Sequence, residues 1–268
     1  MRHSSSGIDS ISEYFSERTV ATEPAQTNRA AQVQEDEYYI PYHYLYRKGW
    51  YSAPPYCFQL ERVIAILKEN GMKRVLDAGC GDGRLVYEAR KAGFDAAGMD
   101  IYAQSLHFAK AYSPEAEFAE GDIAAMPFPD ASFDAVACSG VLEHVEPDKA
   151  TKALSEMKRV LRPGGIVIIT VPSLLLSVSE KHLWHASPEG LEKMLAGFTD
   201  VHIEGRDASS FFLRLPYYFL SFFVLLTYPL RRKCLCFAGW QWVYYKNHLA
   251  NASPSHARSL LAVGRKSS

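Results

Sequence analysis

Three glycines, Gly79, Gly81 and Gly83, sit close together in VLDAGCGDGR, Val75 to Arg84, directly after an apolar run. Without Cβ atoms the backbone there can turn tightly and let a ligand lie against its N–H groups, as a loop seating a nucleotide-type cofactor must. The spacing is G-x-G-x-G. Arg84 stands where a dinucleotide fingerprint has its third glycine, which argues against NAD or FAD. No G-K-[ST] follows, so a P-loop is excluded. Nineteen residues after Gly81, FDAAGMDIY places Asp100 at the end of a second apolar run. A carboxylate at that remove reaches the ribose hydroxyls of a cofactor held by the first loop and accepts from both.

On these residues the sequence resembles the class I S-adenosylmethionine-dependent methyltransferases, the Rossmann-like methyltransferase superfamily. The resemblance continues through EGDIAAMPFPDASFDAVACSGVLEHV and LSEMKRVLRPGGIVIITVPS and spans roughly Lys73 to Ser173. It implies that Gly79, Cys80 and Gly81 contact the methionine moiety of S-adenosyl-L-methionine, and that Asp100 and Ile101 meet its ribose and adenine. It further implies Asp122 near the adenine amino group, Ile123 on the ring face, and Ser139 with Gly140 at the sulfonium end. Asp77 is a candidate for shaping the loop or meeting the cofactor amine.

Three histidines are the candidates for chemistry on the acceptor. His144, in GVLEHV beside Glu143, lines the donor pocket, moves a proton, or is a structural histidine. His182 and His185, in KHLWHASPEGL, fall on the loop after the fifth strand, where enzymes of this kind receive the acceptor; an acceptor hydroxyl or ammonium would lose its proton there. No carboxylate or cysteine accompanies this histidine pair at a familiar ligand spacing, so no metal is expected. Arg47, with Tyr44 and Tyr46, is a candidate for the cofactor carboxylate. Asp82, Asp130 and Asp134 read as turn acids.

The elements that must position these groups alternate. Strands are expected at Arg74–Asp77, Ala96–Asp100, Ala116–Glu120, Ser132–Cys138, Ile166–Val171 and Val201–Glu204, with SLLAVGRK, Ser259 to Lys266, as a closing antiparallel strand. Helices lie between them, one starting at Pro147-Asp148 and stopping at Arg162-Pro163-Gly164-Gly165, another capped by Ser187 with Pro188 at its first position. The expected fold is therefore α/β, a doubly wound, mostly parallel sheet of seven strands. Two additions are expected. YYIPYHYLYRKGWYSAPPY, Tyr38 to Tyr56, forms an aromatic cap over the cofactor side, and a helical insertion at about 207–257 precedes the last strand.

The insertion contains FFLRLPYYFLSFFVLLTYPLRRK, Phe211 to Lys233, broken by Arg214 and Pro216. Its uncharged run is shorter than the roughly 20 residues of a spanning helix. It reads as a helical lid or packing element, as a helix lying in a membrane surface, or least readily as a span.

Composition sets outer limits. The 268 residues carry 29 basic and 30 acidic side chains, with no basic stripe, so a nucleic-acid partner is not expected. Five cysteines without paired zinc spacing suit a reducing compartment and a cytoplasmic protein, with membrane contact through residues 211–233 as a further expectation. Residues 1–35 are polar and aperiodic, read as a flexible tail before a domain at 36–268. The expected activity is methyl transfer from S-adenosylmethionine to a small-molecule or lipid-like acceptor. A protein or carbohydrate carrier as acceptor, and a non-catalytic cofactor-binding scaffold, are the alternatives.

Overall fold

The structure, a computed structural model, describes residues 40–45, 53–177, 179–227 and 232–268. The tail, Tyr46 and Arg47 lie outside the described residues.

A one-turn helix, α1 (Tyr42–Leu45), precedes the long helix α2 (Ala53–Glu69). The alternating part follows: β1 (Arg74–Ala78), α3 (Arg84–Lys91), β2 (Asp95–Asp100), α4 (Ala103–Tyr112), β3 (Phe118–Glu120), β4 (Phe133–Ser139), a 3-10 turn (Leu142–His144), α5 (Pro147–Val160), β5 (Leu161–Pro172), α6 (Pro188–Met194) and β6 (Thr199–Ala208). The helical pair α7 (Phe211–Thr227) and α8 (Arg232–His248) comes next, then β7 (Asn251–Ala252) and β8 (Ala257–Arg265).

The strands form one sheet in the order β3-β2-β1-β4-β5-β8-β6-β7, parallel from β3 to β5, with β8 antiparallel to both β5 and β6. The sheet thus has eight strands where the sequence predicted seven. The additional strand is the two-residue β7, which pairs Ala252 with Gly205 and Asn251 with Arg206. It covers an edge that β6 would otherwise leave unpaired. Gly205 permits this: a Cβ there would collide with the carbonyl oxygens of Ala252 and Ser253.

Central position explains the apolar β5. Val167 and Ile169 enter a core cluster with Leu154, Met157 and Leu191, whereas Ile166 and Ile168 join Val63, Ile66 and Leu67 of α2 in another. Successive strand residues point to opposite faces, so a strand covered on both sides is apolar at consecutive positions. The predicted caps also form. Ser187 Oγ accepts the Gly190 N–H at 3.1 Å and Pro188 opens α6. Helix α5 ends at Val160, slightly before the predicted stop, because Leu161 already pairs with Phe133 across a bulge.

The insertion folds as the two helices α7 and α8. Arg214, which interrupts the apolar run in sequence, is buried and anchors α7. Its guanidinium donates to Asp207 Oδ1 at 2.8 Å and to the Ala208 carbonyl at 2.8 Å, while Nε donates to the Tyr218 hydroxyl at 3.0 Å. Tyr217 and Tyr245 pack with Phe58 of α2. Because β6 ends at Ala208 and runs parallel to β5, this pair of helices leaves the sheet at the carboxyl edge, the same edge as the glycine turn.

Candidate active site

The site is built on the carboxyl ends of β1, β2, β4 and β5. Gly79, Gly81 and Gly83 all have positive φ, 82°, 51° and 77°, and Gly83 caps α3. The turn is held by its own main chain: the Gly79 and Cys80 N–H groups both donate to the Met99 carbonyl at 2.8 Å and the Gly83 N–H to the Cys80 carbonyl at 2.9 Å. Gly79 is fixed by a second demand, since a Cβ on it would strike Val141. Cys80 is buried, and burial pushes its thiol well above the usual range, so it stays protonated.

Asp100 locks the turn to the second strand. Its Oδ2 accepts the Gly81 N–H at 2.7 Å and its Oδ1 the Tyr102 N–H at 3.0 Å. The Ser105 side chain and the Ile101 N–H also face this buried carboxylate. Burial raises its pKa, opposed by those backbone donors. Asp77 lies behind it. Burial, then the negative charges of Asp100 and Asp82, push Asp77 up to about 8. Asp77, Asp82 and Asp100 thus lie buried around one glycine turn.

Asp82, read from sequence as a turn acid, is fully buried and accepts the His43 backbone N–H at 2.9 Å, with its other oxygen 3.0 Å from His43 Nδ1. Tyr44 stacks on Tyr112 at 3.6 Å between centroids. The described part of the aromatic cap therefore sits on the glycine turn. His43 was not singled out in sequence; nothing in its spacing announces a partner 39 positions away.

At the ends of β4 and β5, Ser139 Oγ and Thr170 Oγ1 lie 2.7 Å apart, and Gln59 Nε2 donates to both, at 2.9 and 2.7 Å. Gln59 was missed in the sequence, while Thr170 left a trace as the polar interruption of an apolar strand. Gly140 follows with φ 69°. Ile101 is half exposed beside Asp100 and Ile123 is buried. Asp122 is engaged by Lys149 Nζ at 2.7 Å and by the Ala124 N–H at 2.9 Å.

The three histidines converge from two loops. The Leu183 N–H donates to the Glu143 carbonyl at 2.7 Å, tying the loop after β5 to the 3-10 turn. His144 and His182 rings meet at 5.0 Å between centroids, and His182 Nδ1 lies 2.9 Å from His185 Nε2. Burial, then the neighbouring His144 and His185, drives His182 down to about 3, and burial lowers His185 as well. Glu143 is buried with a pKa raised to about 8 by desolvation, and its Oε2 finds no hydrogen-bond partner among the described residues.

Comparison with known proteins matches residues 76–169 to a family described as a methyltransferase domain. A demethylmenaquinone methyltransferase from Renibacterium salmoninarum is 40% identical over 97 residues, 36% of this chain and 40% of that protein. A malonyl-[acyl-carrier protein] O-methyltransferase from Pectobacterium atrosepticum is 34% identical over 107 residues, 40% of this chain and 42% of that one. The chain thus spans less than half the length of these relatives. In fold it is similar to a SAM-dependent methyltransferase from Archaeoglobus fulgidus, with TM-score 0.53, 19% identity, and coverage of 77% of this chain and 94% of the other. It also resembles Haemonchus contortus phosphoethanolamine N-methyltransferase 2 in complex with S-adenosyl-L-methionine, with TM-score 0.51, 22% identity, and coverage of 78% and 53%. Residues 76–169 of this chain thus match a methyltransferase domain, and its sheet has the α/β, Rossmann-like fold of these methyltransferase structures.

Proposed function

We propose that the chain transfers a methyl group from S-adenosylmethionine to a small-molecule or lipid-like acceptor. The observation that carries this reading is the meeting, on one edge of the sheet, of an acidic glycine turn with a histidine cluster tied to its neighbouring loop. When bound, S-adenosylmethionine supplies an electrophilic methyl carbon on a sulfonium. The turn at Gly79, Cys80 and Gly81 would hold its amino-acid end with Asp77 toward the amine. Asp100 and Ile101 would take the ribose and adenine, and Ile123 the other ring face. Asp122 would share its carboxylate between Lys149 and the adenine amino group. Ser139 and Gly140 would border the sulfonium end, with Gln59 and Thr170 fixing the Ser139 hydroxyl.

Methyl transfer demands collinearity of nucleophile, carbon and leaving sulfur, so holding the acceptor in line is the protein's main task. His144, His182 and His185 are the groups placed to orient an acceptor and receive its proton. The 2.9 Å contact between His182 Nδ1 and His185 Nε2 makes these two rings a linked pair, and burial lowers the proton affinity of both.

The acceptor preference is read from α7. Phe212 is 83% exposed, Phe219 63% and Phe222 58%, on a helix that leaves the carboxyl edge beside the site. Such a face suits an apolar acceptor and peripheral contact with a membrane surface. The relatives named for demethylmenaquinone and for malonyl-[acyl-carrier protein] accord with acceptors that are not nucleic acid. No helix among the described residues is long and apolar enough to cross a membrane. Incubation with methyl-labelled donor and cell extract tests the proposal: label in an organic-extractable small molecule supports it, label in protein transfers it to the carrier reading, and no label leaves a binding scaffold.

A further inference from the structure

Glu143 brings a buried carboxylate up to the histidine cluster. Glu143, His144 and His182 each offer a ligand atom, and these atoms all lie within 4.8 Å of one another. We propose that these three side chains bind a single divalent transition-metal ion, of the zinc, cobalt(II), iron(II) or manganese(II) class, on the acceptor side of the cleft. Two loops supply the ligands, which is why no ligand spacing is visible in either loop alone.

Hydrogen bonds orient the two imidazoles. His144 Nδ1 lies 2.8 Å from the Lys181 carbonyl oxygen, which can only accept, so Nδ1 carries the hydrogen and Nε2 the lone pair. His182 Nδ1 is paired with His185 Nε2 at 2.9 Å, which leaves Nε2 of His182 as the ligating nitrogen when Nδ1 is the donor. The Leu183 N–H to Glu143 carbonyl bond holds the two loops in register, and Trp184 Nε1 donates to the Val145 carbonyl at 3.0 Å, adding a second clamp. Glu143 itself supplies the independent sign. It is 4% exposed, and its Oε2 has no hydrogen-bond partner among the described residues. A buried carboxylate oxygen without a donor is costly, and a proton relay would have given it an imidazole N–H. A cation satisfies it. Two imidazoles with one carboxylate select borderline transition ions over magnesium and calcium, which prefer all-oxygen shells, and three protein ligands leave positions open. The consequence for chemistry rests on the function proposed above: an acceptor hydroxyl on the ion would have its pKa lowered at that position.

The test uses the full chain, stripped with chelator and titrated with Co2+ while its visible absorption is followed. One equivalent bound with ligand-field bands, displaced by Zn2+ but not by millimolar Mg2+, is expected. Glu143→Gln, His144→Asn and His182→Asn should each weaken Co2+ by roughly 10- to 100-fold while retaining affinity for S-adenosylhomocysteine. His202→Asn, on a side chain 71% exposed on β6, should bind as the parent does. Absence of stoichiometric Co2+ in the parent chain, or parent-like binding in the Glu143→Gln/His182→Asn double variant, overturns the site. If the variants fail to fold, nitrogen hyperfine spectroscopy of the parent loaded with Cu2+ decides alone: coupling from two imidazoles is expected, and coupling from none overturns it. S-adenosylhomocysteine affinity is read separately, so loss of the metal site and loss of the methyltransferase reading give different results.

Discussion

Val141 packs against the Cα of Gly79 so closely that no side chain fits between them. The donor turn after β1 and the loop after β4 are thereby one packed unit. Gly79→Ala would also place a Cβ at φ 82°, where L residues are strained. The combined cost is about 1–3 kcal/mol. Calorimetry should show S-adenosylhomocysteine binding weakened at least about tenfold, with a lowered Tm; unchanged affinity would show that the turn does not seat the ligand.

Asp100→Ala removes an acceptor for ribose hydroxyls and for two backbone N–H groups. Binding of S-adenosylmethionine should weaken by roughly 1.5–3 kcal/mol, and NAD should not bind either protein. Asp100→Asn, which keeps one carbonyl acceptor, should fall between. Equal affinities in all three would remove the ribose assignment.

Asp77 makes a pH prediction. Its folded pKa, about 8, lies above the ordinary carboxylate value, so between pH 4 and pH 8 the folded state holds a proton that the unfolded state has released. Stability from this group is therefore full at low pH and declines as pH rises through that window. Asp77→Asn should raise the Tm of the ligand-free protein at pH 8 more than at pH 5. The same variant should weaken binding of the cationic donor. A Tm difference independent of pH would contradict the assignment.

Asp207 and Arg214 form a buried pair at 2.8 Å that pins α7 to the end of β6. Removing one partner strands a charge, and such losses run to about 3–5 kcal/mol. Asp207→Ala should expose the 211–248 segment to limited proteolysis before the central sheet unfolds. Simultaneous cleavage throughout would show that the insertion is not a separable unit.

The exposed phenylalanines of α7 can be tested without touching the core. Phe212, Phe219 and Phe222 replaced by Ser should leave stability within about 0.5 kcal/mol. Flotation with anionic liposomes at low salt should be lost and turnover of the apolar acceptor reduced. If the parent chain does not float, the membrane half fails; if turnover is unchanged in the triple variant, the segment lies outside the acceptor site.

The donor half was legible because its constraints are local. A glycine turn, an acid at the next strand end and alternating apolar runs follow from backbone sterics and residue period, which act over a few positions. The carboxyl ends of β1 to β5 and the cap at Ser187 were readable to within a residue for the same reason, whereas β6 runs to Ala208, four residues past the predicted Glu204. Tertiary structure decided the rest. The eighth strand is two residues long and is defined only by the edge it covers. Arg214 reads in sequence as a flaw in an apolar helix and becomes its anchor because Asp207 lies opposite. Gln59 and Thr170 meet across 111 positions, and Glu143 and His144 meet His182 only when the loops after β4 and β5 close on each other. Spacing along a chain carries no record of such encounters; packing of the sheet creates them.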